Sequence, residues 1–324
     1  MALDPDLARL LPVLETQEVV RYADSPIGQA RAAHDHSVAR LTPPARRTAV
    51  AQVFDTDVPG TAGPVPVRVY RPRQTPPVAV VLWLHGGGWC TGSLDTADVV
   101  ARELCDGLPA VVVSVDYRLA PEHPWPAATD DALSALRWVI DSASDFGADP
   151  ASVVVGGDSA GGNIAAAIVQ QARADGLAIA AQLLVYPALD LDVGRTEQYP
   201  SLQEFAEGYA LPPENLRIAV EQYVSAGADL ADPRISPIRQ QDLTGLPPTV
   251  ISVAEYDPVR DHGRVYADAL REASVPVVLH GGHGLIHGSF DLIGSAPGIR
   301  GELACVLTSL RQLLAGAHVE ETAS

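Results

Sequence analysis

Residues 157–161, Gly-Asp-Ser-Ala-Gly, constrain the fold of this chain more than any other stretch. They stand between an apolar run at 153–155, which predicts a buried strand, and an apolar run at 163–168, which predicts a helix. A serine with a glycine two positions away on each side, at a strand-to-helix turn, is typical of a nucleophile elbow. The turn is so tight that a Cβ at either glycine would collide with neighbouring backbone. We therefore predict that Ser159 is a nucleophile held on a sharp corner.

A second glycine-rich loop, residues 85–89 with the sequence His-Gly-Gly-Gly-Trp, follows the apolar run 78–84. Consecutive glycines leave backbone N–H groups uncovered, so that they can point at a developing oxyanion. We predict that the N–H groups of Gly87, Gly88 and Ala160 form an oxyanion hole, and that His85 holds the loop by hydrogen bonding. A flexible turn is the alternative interpretation. Cys90, the next residue, is either a second nucleophile or a small packing residue.

An acid and a base for such a serine follow two later apolar runs. Asp257 comes after the run 248–254, and His287 comes after the run 275–279. His287 would take the serine proton, while Asp257 would fix the imidazole tautomer and stabilise the imidazolium. Glu255 and Asp261 flank Asp257 and are alternative partners for the imidazole.

Together these motifs resemble the hormone-sensitive-lipase-like esterases of the α/β-hydrolase superfamily, in which serine, aspartate and histidine occur in this chain order. The resemblance runs from about residue 78 to residue 290 and includes 116–128, Asp-Tyr-Arg-Leu-Ala-Pro-Glu-His-Pro-Trp-Pro-Ala-Ala. It implies hydrolysis of short- to medium-chain carboxylic esters through an acyl-enzyme, without a cofactor. One departure is that Ser289 stands between Gly288 and Phe290, where the family has His-Gly-Phe. This departure leaves the packing behind the histidine open.

The alternation of continuous apolar runs with helical segments predicts a largely parallel sheet covered by helices on both faces. The resemblance implies that this is an α/β-hydrolase fold, with a mostly parallel eight-stranded sheet and a helical cap. The first two strands, near 50–54 and 65–70, would form a hairpin connected by residues 57–64. The other strands are predicted near 78–84, 110–115, 152–156, 182–186, 248–254 and 275–279. The helices of the catalytic domain are predicted near 96–107, 127–144, 160–175, 261–273 and 299–315.

The resemblance implies a catalytic domain, formed by residues 46–187 and 248–324, and a two-part cap. Helices are predicted at 4–20 and 26–40, and the resemblance places residues 1–45 in the cap. The insertion 188–247, with a helix predicted at 213–225, is longer than an ordinary connection and favours a functional lid. We predict that pocket-wall side chains come from both parts, although core packing is an equal alternative for each. They are Trp89, Tyr186, Phe205, Tyr209 and Leu285.

Composition excludes several other functions. The chain contains no lysine, which excludes Schiff-base chemistry and a Walker A phosphate loop. Its net charge of −18 argues against nucleic acid and anionic membranes as partners and favours a small neutral ester as substrate. The three cysteines are widely spaced and odd in number, which fits a reducing cytoplasm. No signal peptide or membrane-spanning run is apparent, so no membrane insertion is expected. The family resemblance also suggests a homodimer.

Other readings are weaker. His280, His283 and His287 are spaced like a metal cluster, but the glycines between them prevent a regular helix, and we expect no metal. His34 and His36 have no catalytic context in the sequence. An amidase or a lactonase of the same fold is the main alternative function. A non-catalytic small-molecule-binding protein of this fold is disfavoured, because the resemblance implies that such proteins have lost the histidine that is present here as His287.

Overall fold

The computed structural model describes residues 2–16 and 26–316, and its centre is one eight-stranded sheet. The strands are β1 Gln52–Gly60, β2 Gly63–Arg71, β3 Val80–Leu84, β4 Val111–Val115, β5 Val153–Asp158, β6 Ala181–Val185, β7 Thr249–Ser252 and β8 Val277–His280. Their order across the sheet is β1-β2-β4-β3-β5-β6-β7-β8. Only the β1–β2 and β2–β4 pairs are antiparallel. The predicted fold class is confirmed.

The central strands are continuous apolar runs because both of their faces are covered. Every residue of β3, β4, β5, β6 and β7 is buried. In β3, Leu82 and Leu84 belong to the core on one face, whereas Val81 and Trp83 belong to the core on the other. Such a pattern requires helices on both sides of the sheet.

Nine helices occur among the described residues. They are α1 Pro5–Thr16, α2 Ile27–Leu41, α3 Asp98–Gly107, α4 Ala127–Ser142, α5 Ala160–Ala174, α6 Ser201–Glu204, α7 Pro213–Tyr223, α8 Arg260–Glu272 and α9 Arg300–Leu314. Side chains of α4, α5 and α8 fill one core, and those of α3 and α9 fill the other. None of the described helices is both long and apolar enough to cross a bilayer.

The hairpin differs from its prediction. The residues predicted as its connection, 57–64, lie mostly inside the two strands, and only Thr61 and Ala62 form the turn. Gly60 pairs with Gly63, whose φ of +129° lies outside the range that other residues favour. The Pro and Gly residues suggested a loop, but an edge hairpin tolerates proline where no ladder hydrogen bond is needed.

Parts of the segments predicted to form the cap line the cavity that contains the Ser159 side chain. They include side chains from α1, α2 and α7. The first helix was predicted to extend to residue 20. The structure describes this helix over Pro5–Thr16, and residues 17–20 of the prediction lie outside the described residues. The helix predicted at 213–225 is α7.

Candidate active site

Ser159 occupies the sharp turn between β5 and α5. Its φ of +53° and ψ of −117° are a strained conformation for a residue with a side chain. A Cβ on Gly157 would lie 2.7 Å from the Leu84 carbonyl oxygen, and one on Gly161 would overlap that oxygen and lie 2.5 Å from the His85 carbonyl oxygen. A Cβ on Gly157 would also lie 2.5 Å from the Gly161 carbonyl carbon. Both glycines are therefore required by the tightness of the turn and by the close approach of residues 84 and 85, which is the crowding that the sequence predicted.

The Ser159 side chain meets an imidazole and a carboxylate in line. The hydroxyl oxygen lies 2.7 Å from His287 Nε2, and His287 Nδ1 lies 2.8 Å from Asp257 Oδ2. Asp257 is fully buried, whereas the His287 side chain keeps 11% of its surface exposed toward the cavity. These distances suit proton transfer from the hydroxyl to Nε2 with Nδ1–H donated to the carboxylate.

The loops after β7 and β8 are held side by side by a parallel bridge between Tyr256 and Ile286. Each bridge residue directly precedes a member of the constellation, so the bridge sets Asp257 next to His287. The second carboxylate oxygen of Asp257 accepts a hydrogen bond from the Val259 N–H at 2.9 Å. This bond leaves one oxygen directed at the imidazole and fixes its position.

The two alternative carboxylates have other partners. Glu255 accepts a hydrogen bond from the Gly284 N–H at 2.8 Å. Asp261 accepts from the Ser201 N–H at 2.9 Å and pairs with Arg260 at 2.9 Å. Of the three carboxylates considered, only Asp257 is hydrogen-bonded to the imidazole.

The loop of residues 85–92, called the glycine loop below, runs past the serine. Gly87, Gly88 and Trp89 have φ of +115°, +58° and +60°. Gly87, Gly88 and Ala160 line the same cavity as Ser159. Ala160 is the first residue of α5, so its N–H has no acceptor within the helix. The loop and the helix start thus bring the predicted oxyanion donors to the same cavity as Ser159.

His85 and Cys90 are buried residues of the glycine loop that pack against its surroundings. The His85 ring is buried, stacks on Tyr117 with centroids 4.3 Å apart, and contacts the Gly86 carbonyl through Nδ1 at 2.7 Å. Burial lowers the pKa of His85 to about 4, so the ring is neutral at physiological pH. Burial raises the pKa of the Cys90 thiol to about 12, which leaves it protonated and favours a packing role over a second nucleophile.

Two carboxyl groups lie close to the cavity floor. Asp158 and Asp291 both line the cavity with Ser159. Burial raises the pKa of Asp158, and the charge of Asp291 raises it further. Burial also raises the pKa of Asp291, against the attraction of His287. Carboxyl groups with raised pKa values stay protonated to a higher pH than isolated ones. A protonated carboxyl carries no negative charge, so it repels a developing oxyanion less than a carboxylate does.

The serine inserted after Gly288 closes a tight turn behind the imidazole. Ser289 is fully buried, and its hydroxyl donates to the Ile286 carbonyl at 2.6 Å and accepts from the Ile286 N–H at 3.0 Å. Phe290 remains in the core, 6.0 Å from the Tyr186 ring. The departure from His-Gly-Phe is thus accommodated, and His287 keeps its position.

The cavity beside Ser159 has a volume of about 480 Å³. Of the five predicted wall residues, Trp89 and Tyr186 line it. Phe205 and Tyr209 do not; their rings pack against each other with centroids 5.4 Å apart. Leu285 also lies away from the cavity, in the core on the α3 and α9 side.

Sequence reasoning missed the wall that helices α2 and α7 contribute. Its members include His34, His36, Leu216 and Ala219. The two histidines seemed to have no catalytic context in the sequence, but the fold brings them to the same cavity as Ser159. No local sequence pattern marks them, because their place on the wall arises only where α2 and α7 meet the cavity.

Histidines 280, 283 and 287 do not act together. His280 Nε2 contacts Ser309 Oγ at 3.0 Å, whereas the His287 ring lies between Ser159 and Asp257. His283 is half exposed and faces Glu255 at 3.7 Å. In the described part of the chain, no group of three or more His, Cys, Asp and Glu side chains is arranged to hold a metal ion.

Comparison with known proteins gives a consistent result. A family model described as an alpha/beta hydrolase fold matches residues 81–291. The chain is 43% identical over 257 residues to the carboxylic ester hydrolase LipN of Mycobacterium tuberculosis, covering 76% of this chain and 67% of LipN. It is 45% identical over 232 residues to the carboxylesterase NlhH of the same organism, covering 69% and 70% of the two chains. A hyperthermophilic esterase from the archaeon Pyrobaculum calidifontis superposes with a TM-score of 0.86 at 36% identity, covering 96% and 99%.

Proposed function

Since the chain belongs to the hormone-sensitive-lipase-like family of the α/β-hydrolase superfamily and is a carboxylic ester hydrolase, we propose that it cleaves neutral short- to medium-chain esters through an acyl-enzyme on Ser159. Ser159 is the nucleophile, His287 the general base and acid, and Asp257 the group that orients the imidazole. The observation that carries the proposal is the continuous contact from hydroxyl to imidazole to buried carboxylate, at 2.7 Å and 2.8 Å.

The reaction follows from these positions. The Ser159 oxygen attacks the ester carbonyl carbon while its proton passes to His287 Nε2. The carbonyl oxygen becomes an oxyanion, which the N–H groups of Gly87, Gly88 and Ala160 stabilise. Collapse of this intermediate breaks the C–O bond, and the departing alcohol takes the proton from His287. A water molecule then gives a proton to His287, attacks the acyl carbon, and the second collapse returns the proton to Ser159 and releases the acid.

The size and lining of the cavity support the substrate class. A volume of about 480 Å³ is typical of pockets for small molecules and suits a short to medium acyl chain. Trp89, Leu216 and Ala219 supply apolar wall. The net charge of −18 would repel anionic substrates at long range, which favours neutral esters.

Three further properties belong to this proposal. Residues 1–45 and 188–247 act as a cap that excludes water and shapes the pocket. The enzyme works in the cytoplasm, which agrees with the free cysteines 90, 105 and 305. A homodimer pairs through β8, which is the edge strand of the sheet and is only half buried.

The deciding experiment is labelling by a fluorophosphonate together with turnover of p-nitrophenyl esters of rising chain length. The wild type should be labelled and should turn over the shorter esters. Ser159→Ala should abolish both signals while the circular dichroism spectrum and melting temperature stay unchanged, since alanine keeps the Cβ of the elbow. Ser144→Ala, on an exposed serine, is the matched control.

The outcomes separate the alternatives. Full activity in Ser159→Ala would refute the nucleophile. An anilide cleaved as fast as the matching ester would favour an amidase, and preferential turnover of a cyclic ester would favour a lactonase. Absence of labelling and of turnover in the folded wild type would point to a binding protein.

A further inference from the structure

Helix α2 touches the glycine loop through polar side chains. His34 Nδ1 lies 3.0 Å from the Thr91 hydroxyl oxygen, and Asp35 accepts a hydrogen bond from the Ser93 hydroxyl at 3.3 Å. Arg31 donates to the Cys90 carbonyl at 2.9 Å. One face of a helix outside the sheet therefore meets the carboxyl end of the loop that carries the oxyanion donors.

The glycine loop requires such support because its backbone is strained. Gly87, Gly88 and Trp89 are consecutive residues with positive φ, and Trp89 is not a glycine. Conformations of this kind persist only where the surroundings fix them. Trp89 is held on one side by its ring, which stacks on Tyr223 with centroids 4.8 Å apart.

Thr91 transmits the contact from His34 to the oxyanion donors. Both its hydroxyl and its backbone N–H donate to the Gly87 carbonyl oxygen, each at 2.9 Å. That carbonyl and the Gly88 N–H belong to one planar trans peptide unit, so they point in opposite directions. Fixing the carbonyl on the Thr91 side therefore turns the Gly88 N–H away from Thr91, and Gly88 lines the cavity that contains the Ser159 side chain.

The hydrogen positions follow from the donor inventory. A threonine hydroxyl has one hydrogen, and here it is given to the Gly87 carbonyl. His34 Nδ1 must therefore carry the hydrogen of the His34–Thr91 contact. Burial lowers the pKa of His34, so the ring is a neutral tautomer with its hydrogen on Nδ1.

Arg31 fixes the same region from the other end. Its guanidinium also donates to the Ala120 carbonyl at 2.9 Å and pairs with both Glu122 carboxylate oxygens, at 2.9 and 2.6 Å. The Ala120 N–H in turn donates to the Trp89 carbonyl at 2.9 Å. The guanidinium thus joins α2, the end of the glycine loop and the 120–122 segment in one network.

We propose that α2 is a positioning element for catalysis, in which His34 and Arg31 hold the Thr91–Gly87 contact and thereby orient the Gly88 N–H toward the oxyanion. The inference rests on the proposed function, since it assigns the Gly88 N–H to the tetrahedral intermediate. His34 is a positioning residue, because it acts through Thr91. Undocking of α2 would leave Ser159, His287 and Asp257 in contact but would misalign a donor.

The test compares His34→Ala, which removes the donor, with His34→Asn, whose side-chain amide can place an N–H near the position of Nδ1. Removing an oxyanion donor lowers kcat by about 10²–10³-fold, so misaligning one should lower kcat by about 10- to 100-fold with KM nearly unchanged. His34→Asn should recover most of this loss. Gln29→Ala, on the exposed side of α2, is the matched control and should behave as wild type.

A second readout isolates the oxyanion hole from general damage. A trifluoromethyl ketone adds to the Ser159 hydroxyl and forms a tetrahedral oxyanion, whereas the corresponding methyl ketone binds mainly as an intact carbonyl. In His34→Ala the inhibition constant of the fluorinated ketone should rise by the factor by which kcat/KM falls. The inhibition constant of the methyl ketone should stay near the wild-type value. If His34→Ala does not fold, two variants of Thr91 replace it in both measurements. Thr91→Val removes the hydroxyl that donates to the Gly87 carbonyl and should show the loss, whereas Thr91→Ser keeps this hydroxyl and should not.

The inference is overturned if folded His34→Ala keeps wild-type kcat, or if kcat falls while the fluorinated ketone binds as before. Failure of His34→Asn to recover activity would also count against it. These results differ from failure of the proposed function, in which the wild type itself would neither hydrolyse esters nor react with a fluorophosphonate.

Discussion

Asp257 and His287 each follow by one residue the two members of a single parallel bridge, Tyr256 and Ile286. Beyond the regular ends of β7 and β8, this bridge keeps the two loops in register. The carboxylate and the imidazole therefore meet at 2.8 Å although they are 30 residues apart. The buried oxygen of Asp257 can accept only from a nitrogen that carries hydrogen, which selects the tautomer with Nε2 open to Ser159.

We expect Asp257→Asn to lower kcat by about 10³–10⁴-fold without loss of folding, because an amide N–H facing Nδ1 favours the wrong tautomer. Steady-state kinetics on a p-nitrophenyl ester and a thermal melt measure both effects. Glu255→Gln is the matched control, since Glu255 contacts the Gly284 N–H instead of the imidazole. An equal loss in both variants would show that Asp257 has no special role.

Gly161→Ala should destabilise the protein by about 1–3 kcal/mol or more, because the added methyl overlaps the Leu84 carbonyl. Activity should fall with it, since the displaced backbone carries the nucleophile. Gly301→Ala, in the first turn of α9 with nothing within 4 Å of the added methyl, should instead stabilise by about 0.5–1 kcal/mol. Urea denaturation of both variants decides the question, and similar changes in the two would contradict the crowding argument.

Ala219→Leu should shift the chain-length preference toward shorter esters, because the larger side chain enters the cavity from α7. The ratio of kcat/KM for p-nitrophenyl hexanoate to that for the acetate should fall, by about tenfold if two or three methylenes are excluded. Phe205→Leu, which changes an aromatic outside the cavity wall, should leave the ratio near its wild-type value. A uniform loss on both esters in Ala219→Leu would mean that α7 does not set the length limit.

His262→Leu should improve stability in acid. The ring is fully buried, neither ring nitrogen has a hydrogen-bond partner among the described residues, and burial lowers its pKa to about 4. Between pH 6.5 and 4 the unfolded chain binds a proton at His262 that the folded chain does not bind. The free energy of unfolding of the wild type is therefore unaffected by this group above pH 6.5 and falls as the pH falls toward 4. Leucine removes this loss. The gain in free energy of unfolding should therefore be larger at pH 5 than at pH 7.5, by about 1–2 kcal/mol.

The measurement is chemical denaturation of the wild type and of His262→Leu at both pH values. Gln29→Ala, on an exposed residue without a titratable group, supplies the control and should change stability equally at the two pH values. A gain that is independent of pH would assign the effect to packing against Tyr199, whose ring lies 4.5 Å from His262.

The features predicted from the sequence are those in which local chemistry dictates the structure. The apolar runs predict the strands, because a strand buried on both faces is mostly apolar, with only isolated polar side chains such as Ser114 and Gln182. The glycines at 157 and 161 predict the elbow, because the turn excludes a Cβ. Asp257 and His287 come at strand ends, and strands of a parallel sheet end on the same edge.

The features that escaped prediction depend on contacts between distant segments. For Phe205 and Tyr209 the sequence leaves pocket wall and packing as equal alternatives, and the structure packs their rings against each other and against Tyr256. His34 carries no local signal, since its importance arises only where α2 meets Thr91. The hairpin connection was predicted too long, because the proline and glycine residues of 57–64 are tolerated in an edge hairpin where no ladder hydrogen bond is needed.

Ser159 follows β5, which is flanked by β3 and β6 in the middle of the sheet, whereas α2 is joined to the glycine loop by a few side-chain contacts. These two parts of the site should therefore lose their structure at different temperatures. On warming, α2 should detach from the glycine loop while the backbone around Ser159 still has the slowest amide hydrogen exchange in the molecule. Heat should then inactivate this enzyme reversibly before the protein unfolds.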